Sequence, residues 1–142
     1  MPSLSSGISS PKLTSYLSST RTETGTTLEE SGLEVFLEAN SAYIVDAKLL
    51  TTSSGDGIKW APYYSGVLTL GNTVGFSVDA GAESVLGIED EVTDATSNAV
   101  WHWQGLIRTS TSGRLYILVA KNTDVGGDTS LIPGTYLTAV QV

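Results

Sequence analysis

A chain of 142 residues with 40% apolar side chains has the length and the material for one domain with its own core. Its 15 acidic and 7 basic residues leave a formal charge of −8, a field that repels nucleic-acid phosphates and anionic lipid and so disfavours both as partners. Cysteine is absent, which removes disulfides, thiolate metal sites and a cysteine nucleophile.

The N-terminus shows no basic stretch followed by an apolar one, so it does not read as a secretory signal. No apolar run approaches the roughly 20 residues that cross a bilayer. The first 32 residues hold 15 Ser or Thr, with sparse apolar positions among them. A segment this poor in apolar surface does not offset its own ordering entropy. Residues 1–20 are therefore expected to form an extended arm, flexible or ordered on a partner, with Leu4, Ile8, Leu13, Tyr16 and Leu17 as anchors. Residues 21–142 are expected to form the compact domain.

Within that domain, residues 33–37 (LEVFL) read as a short strand and residues 38–41 as a turn. Residues 42–52 follow as a strand, with Tyr43, Val45, Ala47 and Leu49 on the inward face and Ile44, Asp46, Lys48 and Leu50 on the other. Residues 53–57 (SSGDG) signal a loop. Residues 58–64 form a strand containing Pro62, which cannot donate to a ladder and so predicts an edge or a break. Two short strands, 67–70 and 73–78, are expected around a tight turn at Gly71-Asn72. The stretch 79–97 is loop-rich, and Val85, Leu86, Ile88 and Val92 within it suggest one more strand.

Three apolar-alternating runs close the chain: residues 99–109, 114–121 and 135–142, separated by turns at 110–113 and 122–134. Period-2 hydrophobicity marks a sheet with one buried face. No helix of ordinary length is visible. The expected fold is all-β, an antiparallel jelly roll or β-sandwich behind a short extended arm.

The residues that carry chemistry are few. His102 is the single histidine, between Trp101 and Trp103, and no Gly-x-Ser-x-Gly elbow accompanies it. It reads as a structural or interface residue. Glu83, Glu89, Asp90, Glu91 and Asp94 have no EF-hand spacing and read as a solvated acidic loop rather than a calcium site. No G-x-G-x-x-G and no P-loop occurs. No catalytic residue, metal ligand or cofactor is assigned, and the chain is not expected to be an enzyme. Trp60, Tyr63, Tyr64, Trp101 and Trp103 offer a sugar-stacking alternative. Trp101 and Trp103 share a strand face with Ile107, however, and these three are expected to form a core or oligomer face.

From about Thr20 onward the chain resembles jelly-roll domains of tailed-bacteriophage virion proteins. The residues that carry the resemblance are 26–33 (TTLEESGL), 37–43 (LEANSAY), 105–109 (GLIRT), 113–123 (GRLYILVAKNT) and 132–137 (IPGTYL). The resemblance implies a structural module, often trimeric, found in capsid decoration proteins and in tail or fibre proteins. A single small domain behind an arm suits a capsid decoration or cement protein. The expected partners are the major capsid protein and further copies of the chain, as a trimer, on the exterior of the virion. The alternatives are a tail-fibre or receptor-binding component and, from a different class, a carbohydrate-binding module or small glycan-active enzyme.

Overall fold

The computed structural model describes residues 12–142 apart from 56, 78–82, 96–97 and 125. Among the described residues there is no helix. Twelve strands follow one another: β1 (Lys12–Tyr16), β2 (Arg21–Glu23), β3 (Glu29–Leu37), β4 (Ala42–Gly55), β5 (Ile58–Tyr64), β6 (Leu68–Ser77), β7 (Glu83–Leu86), β8 (Val92–Asp94), β9 (Val100–Thr109), β10 (Gly113–Lys121), β11 (Gly126–Leu131) and β12 (Tyr136–Gln141). They form two antiparallel sheets. The large one runs β1-β12-β4-β9-β6-β7, with β11 and β2 added beside the distal part of β4; the small one runs β3-β10-β5-β8. From β3 to β10 every connection except β6–β7 passes from one sheet to the other. This alternation is how a jelly roll folds two sheets over one core. The all-β sandwich expected from periodicity is the fold observed.

The core follows from the period-2 rule. Leu33, Val35 and Leu37 of β3, Leu115, Ile117 and Val119 of β10, and Ile58 and Trp60 of β5 face inward from the small sheet. Tyr43, Val45, Ala47 and Leu49 of β4 meet them from the large sheet, as the sequence predicts. Trp60 and Trp101 cross the gap edge to face, with ring centroids 5.7 Å apart at 61°. Trp103 stands opposite Ala47, with a single methyl, and Gly75, with no side chain, which leaves room for an indole.

Several strands differ from expectation for local reasons. Gly71 and Asn72 do not turn: they pair with Ile107 and Leu106, and β6 runs straight through them. The loop expected at 53–57 starts later, because β4 continues to Gly55 to pair with β11. The turn expected over 122–134 contains β11, whose polar sequence GGDTSL shows no apolar alternation. The acidic stretch yields two strands, β7 and β8, rather than one. Pro62 is placed where β5 has outrun β8, which pairs only with Ile58, Lys59 and Trp60. Its carbonyl points away from β10 and accepts the Glu89 N–H at 2.7 Å, so no ladder donor is lost on the β10 side.

Of the expected arm, residues 1–11 lie outside the described residues, Leu4 and Ile8 with them. Residues 12–16 form β1, which pairs with β12 from Lys12–Val140 to Tyr16–Tyr136. Leu13 and Leu17 pack against the core, while Tyr16 is 70% exposed. The surface that orders this part of the segment is the domain's own last strand.

Candidate interaction surface

The aromatic residues are divided by the sandwich. Trp60, Tyr64, Trp101 and Trp103 are buried, and only Tyr63 of the five sugar-stacking candidates reaches the surface. Trp101, Trp103 and Ile107 belong to the core rather than to an exposed face. The Trp101 indole N–H donates to Asp94 at 2.7 Å, and Asp90 accepts the Gly87 N–H at 2.6 Å. These two acids of the 83–94 stretch thus hold local structure. Among the described residues no three His, Asp or Glu side chains gather as a metal site. Three surface clefts of about 500, 390 and 300 Å³ each hold a single charged side chain, Arg108, Asp128 and Glu38 respectively. None places two carboxylates, or an acid and a base, across a gap.

What the structure brings together instead is the outward face of the large sheet. In an antiparallel sheet with one face in solvent, outward positions are ordinarily polar. Here Val140, Ile44 and Leu106 sit side by side on β12, β4 and β9. Ile44 is 46% exposed; Val140 and Leu106 are half-buried by their neighbours. Val74 of β6 lies one step along, opposite Gln104. Around this row stand three cations: Lys12 opposite Val140, Lys48 four residues along β4 from Ile44, and Arg108 two residues from Leu106 on β9. The ion pairs among the described residues engage Arg21, Arg114 and Lys121, not these three. The one outward carboxylate of β1, β12, β4 and β9, Asp46, accepts the Tyr136 hydroxyl at 3.3 Å. Burial, reinforced by Asp46, pushes that phenol above its ordinary pKa, so it stays a neutral donor. His102 is on this face too, half-buried and in register with Lys48.

The outward face of the small sheet is built differently. Arg114 of β10 donates to Glu30 and, at 2.6 Å, to Glu34 of β3. Its guanidinium carbon lies 4.1 Å from the centroid of the Tyr116 ring, which in turn lies 5.9 Å from Tyr63. The hydrogen bond from Arg114 holds the Glu30 carboxyl below the usual carboxylate range. Hydrogen bonds to Glu30 and then Glu34 push Arg114 upward, so the cation is permanent. Beside this cluster Phe36 is 69% exposed, opposite Arg114 in the ladder.

Sequence reasoning missed Ile44, Leu106 and Val140 as surface residues of interest. The signal was present: the second face of residues 42–52 already holds Ile44 and Leu50. It is the register across three strands, which no single run displays, that gathers them into one row.

No family model matches the chain, and a search of curated proteins returned no match. Solved structures that match include a chain of the infectious bursal disease virus Gx strain, at 14% identity and a TM-score of 0.49. Another is a chain of the infectious bursal disease virus VP2 subviral particle, at 12% identity and a TM-score of 0.49. Each alignment covers 93% of this chain and 32% of the other, so the chain spans about a third of the length of those proteins.

Proposed function

We propose that this protein is a structural component of a virion, a capsid decoration protein of a tailed phage that self-associates and binds the coat exterior. The observation that carries the reading is the outward face of the large sheet. An aliphatic row ringed by cations that form no ion pair among the described residues is a poor solvated surface and a good contact surface. The motif resemblance over residues 26–137 supports the virion setting. Assembly would bury the aliphatic row, and several modest contacts per oligomer would slow release from a lattice by raising effective concentration. The acidic remainder of the surface would answer basic patches on the coat. A glycan-binding reading lacks its platform, since the three tryptophans are interior.

The test is co-sedimentation with mature, undecorated particles of the phage whose genome carries the gene. The protein should pellet with the particles and raise their melting temperature. Because Lys12–Tyr16 is a strand of the domain, the arm is tested by removing residues 1–11 only, with weaker particle binding expected. Failure of the intact protein to bind particles, with binding to host cells or glycan arrays instead, would replace this reading with the receptor-binding one.

A further inference from the structure

We infer that copies of this chain associate head to tail, the outward face of the large sheet on one copy seating the β3 side of the small sheet on the next. The inference rests on the reading above that the protein self-assembles. The two surfaces mirror each other in charge. Over strands β1, β12, β4 and β9 the first carries three cations, Lys12, Lys48 and Arg108, and one carboxylate, Asp46. The second carries three carboxylates, Glu30, Glu34 and Glu38, and one cation, Arg114. Each also has an apolar centre: the row Val140–Ile44–Leu106 on one, the projecting ring of Phe36 on the other. An aromatic side chain set into an aliphatic surface and rimmed by opposite charges is how strong contact points are built.

The alternative pairings are penalised. Two large-sheet faces brought together would oppose cation to cation, and two β3 sides would oppose carboxylate to carboxylate. In a chain with a net charge of −8, copies meet favourably only where the basic surface of one meets the acidic surface of another. Using different patches on the two partners makes the contact heterologous, and a heterologous contact closes into a ring when its rotation permits.

Two variants test this. Ile44→Glu disables the large-sheet face, and Phe36→Lys with Glu38→Lys disables the β3 side. Sedimentation equilibrium at fixed salt should show the wild type associating and each variant with a dissociation constant raised at least about 100-fold. Mixing the two variants is the decisive measurement. A head-to-tail contact leaves one intact pair of surfaces in the mixture, so a 1:1 heterodimer should form and grow no further. A mixture that stays monomeric overturns the inference, as does wild-type association by the Phe36→Lys/Glu38→Lys variant, or a wild type that is monomeric at about 100 μM. Circular dichroism checks each fold; where a variant loses its sheet signal, Ile44→Ser or Phe36→Ser replaces it in the same mixing experiment. Particle binding by a monomeric wild type would sink this inference and leave the virion reading standing, while association without particle binding would do the reverse.

Discussion

On the outside of the small sheet, Arg114 is gripped by Glu30 and Glu34 and lies over Tyr116. On the outside of the large sheet, Lys12, Lys48 and Arg108 make no such pair among the described residues, and aliphatic side chains fill the space between them. Both faces belong to sheets whose inner sides close the same core, so the contrast does not come from packing. It comes from where charges find partners. The small-sheet cluster holds its one cation internally and keeps a surplus of carboxylate, whereas a face of cations without ion pairs among the described residues, around exposed Ile44, gains when something acidic and apolar covers it. Substitutions inside the sandwich should therefore unfold the protein, and substitutions on the two faces should separate stability from assembly.

The largest effect is expected in the shared interior. Trp60 is fully buried, and its ring meets Trp101 between the sheets. Trp60→Ala should cost about 3–5 kcal/mol in urea unfolding at fixed protein concentration, through lost burial and the cavity left behind. Gly105 comes next. It lies on β9 where β6 approaches so closely that a Cβ would stand 2.1 Å from the Asn72 carbonyl oxygen. Gly105→Ala should cost up to about 3 kcal/mol, because backbone rather than a flexible side chain must yield. If either change left stability intact while abolishing association, the division between interior and faces would be wrong.

How much of this was legible follows the same division. The inward positions of β4, β9 and β10 recur every second residue, so the sandwich and most of its core residues could be read from residues 42–52, 99–109 and 114–121. Strands β2 and β11 could not. Both strands are short and mostly polar; β11 pairs along the distal part of the long β4 and β2 pairs in turn with β11, a tertiary cause with no local signature. Gly71-Asn72 has the composition of a turn, yet the ladder with β9 holds it extended. The interaction surface was legible only in pieces, since Ile44, Leu106 and Val140 are far apart in the chain and meet through register alone.

A smaller effect sharpens the contrast between the faces. Arg114→Ala removes two partly exposed ion pairs and a cation–π contact, and should cost about 1 kcal/mol, less in high salt. Its pH dependence has a definite sign. Arg114 holds Glu30 below the usual carboxylate range, so Glu30's contribution is present above that range and is lost as pH falls through the folded value. The gap between wild type and Arg114→Ala should narrow on acidification. By contrast, Lys48→Ala on the large sheet should leave monomer stability within about 0.5 kcal/mol of wild type, because its ammonium has no ion-pair partner among the described residues to lose.

The smallest effect concerns a charge that neither face displays. Glu23 of β2 is buried, with Arg21 donating to it at 2.6 Å. Burial raises its carboxyl above the ordinary value, and Arg21 only partly opposes this. A carboxyl whose pKa is raised on folding favours the folded state while protonated in both states. That contribution is fully present below the unfolded pKa and is lost as pH rises through the folded one. At neutral pH the ionised Glu23 is therefore a small cost, unlike the gripped Glu30. Glu23→Gln keeps an oxygen for Arg21 and removes the buried charge. It should raise stability at pH 7 and leave it unchanged near pH 3, measured as paired urea midpoints. A loss at pH 7 instead would mean that the Arg21 pair outweighs its desolvation, and that this buried charge behaves like the clamped pairs of the small sheet.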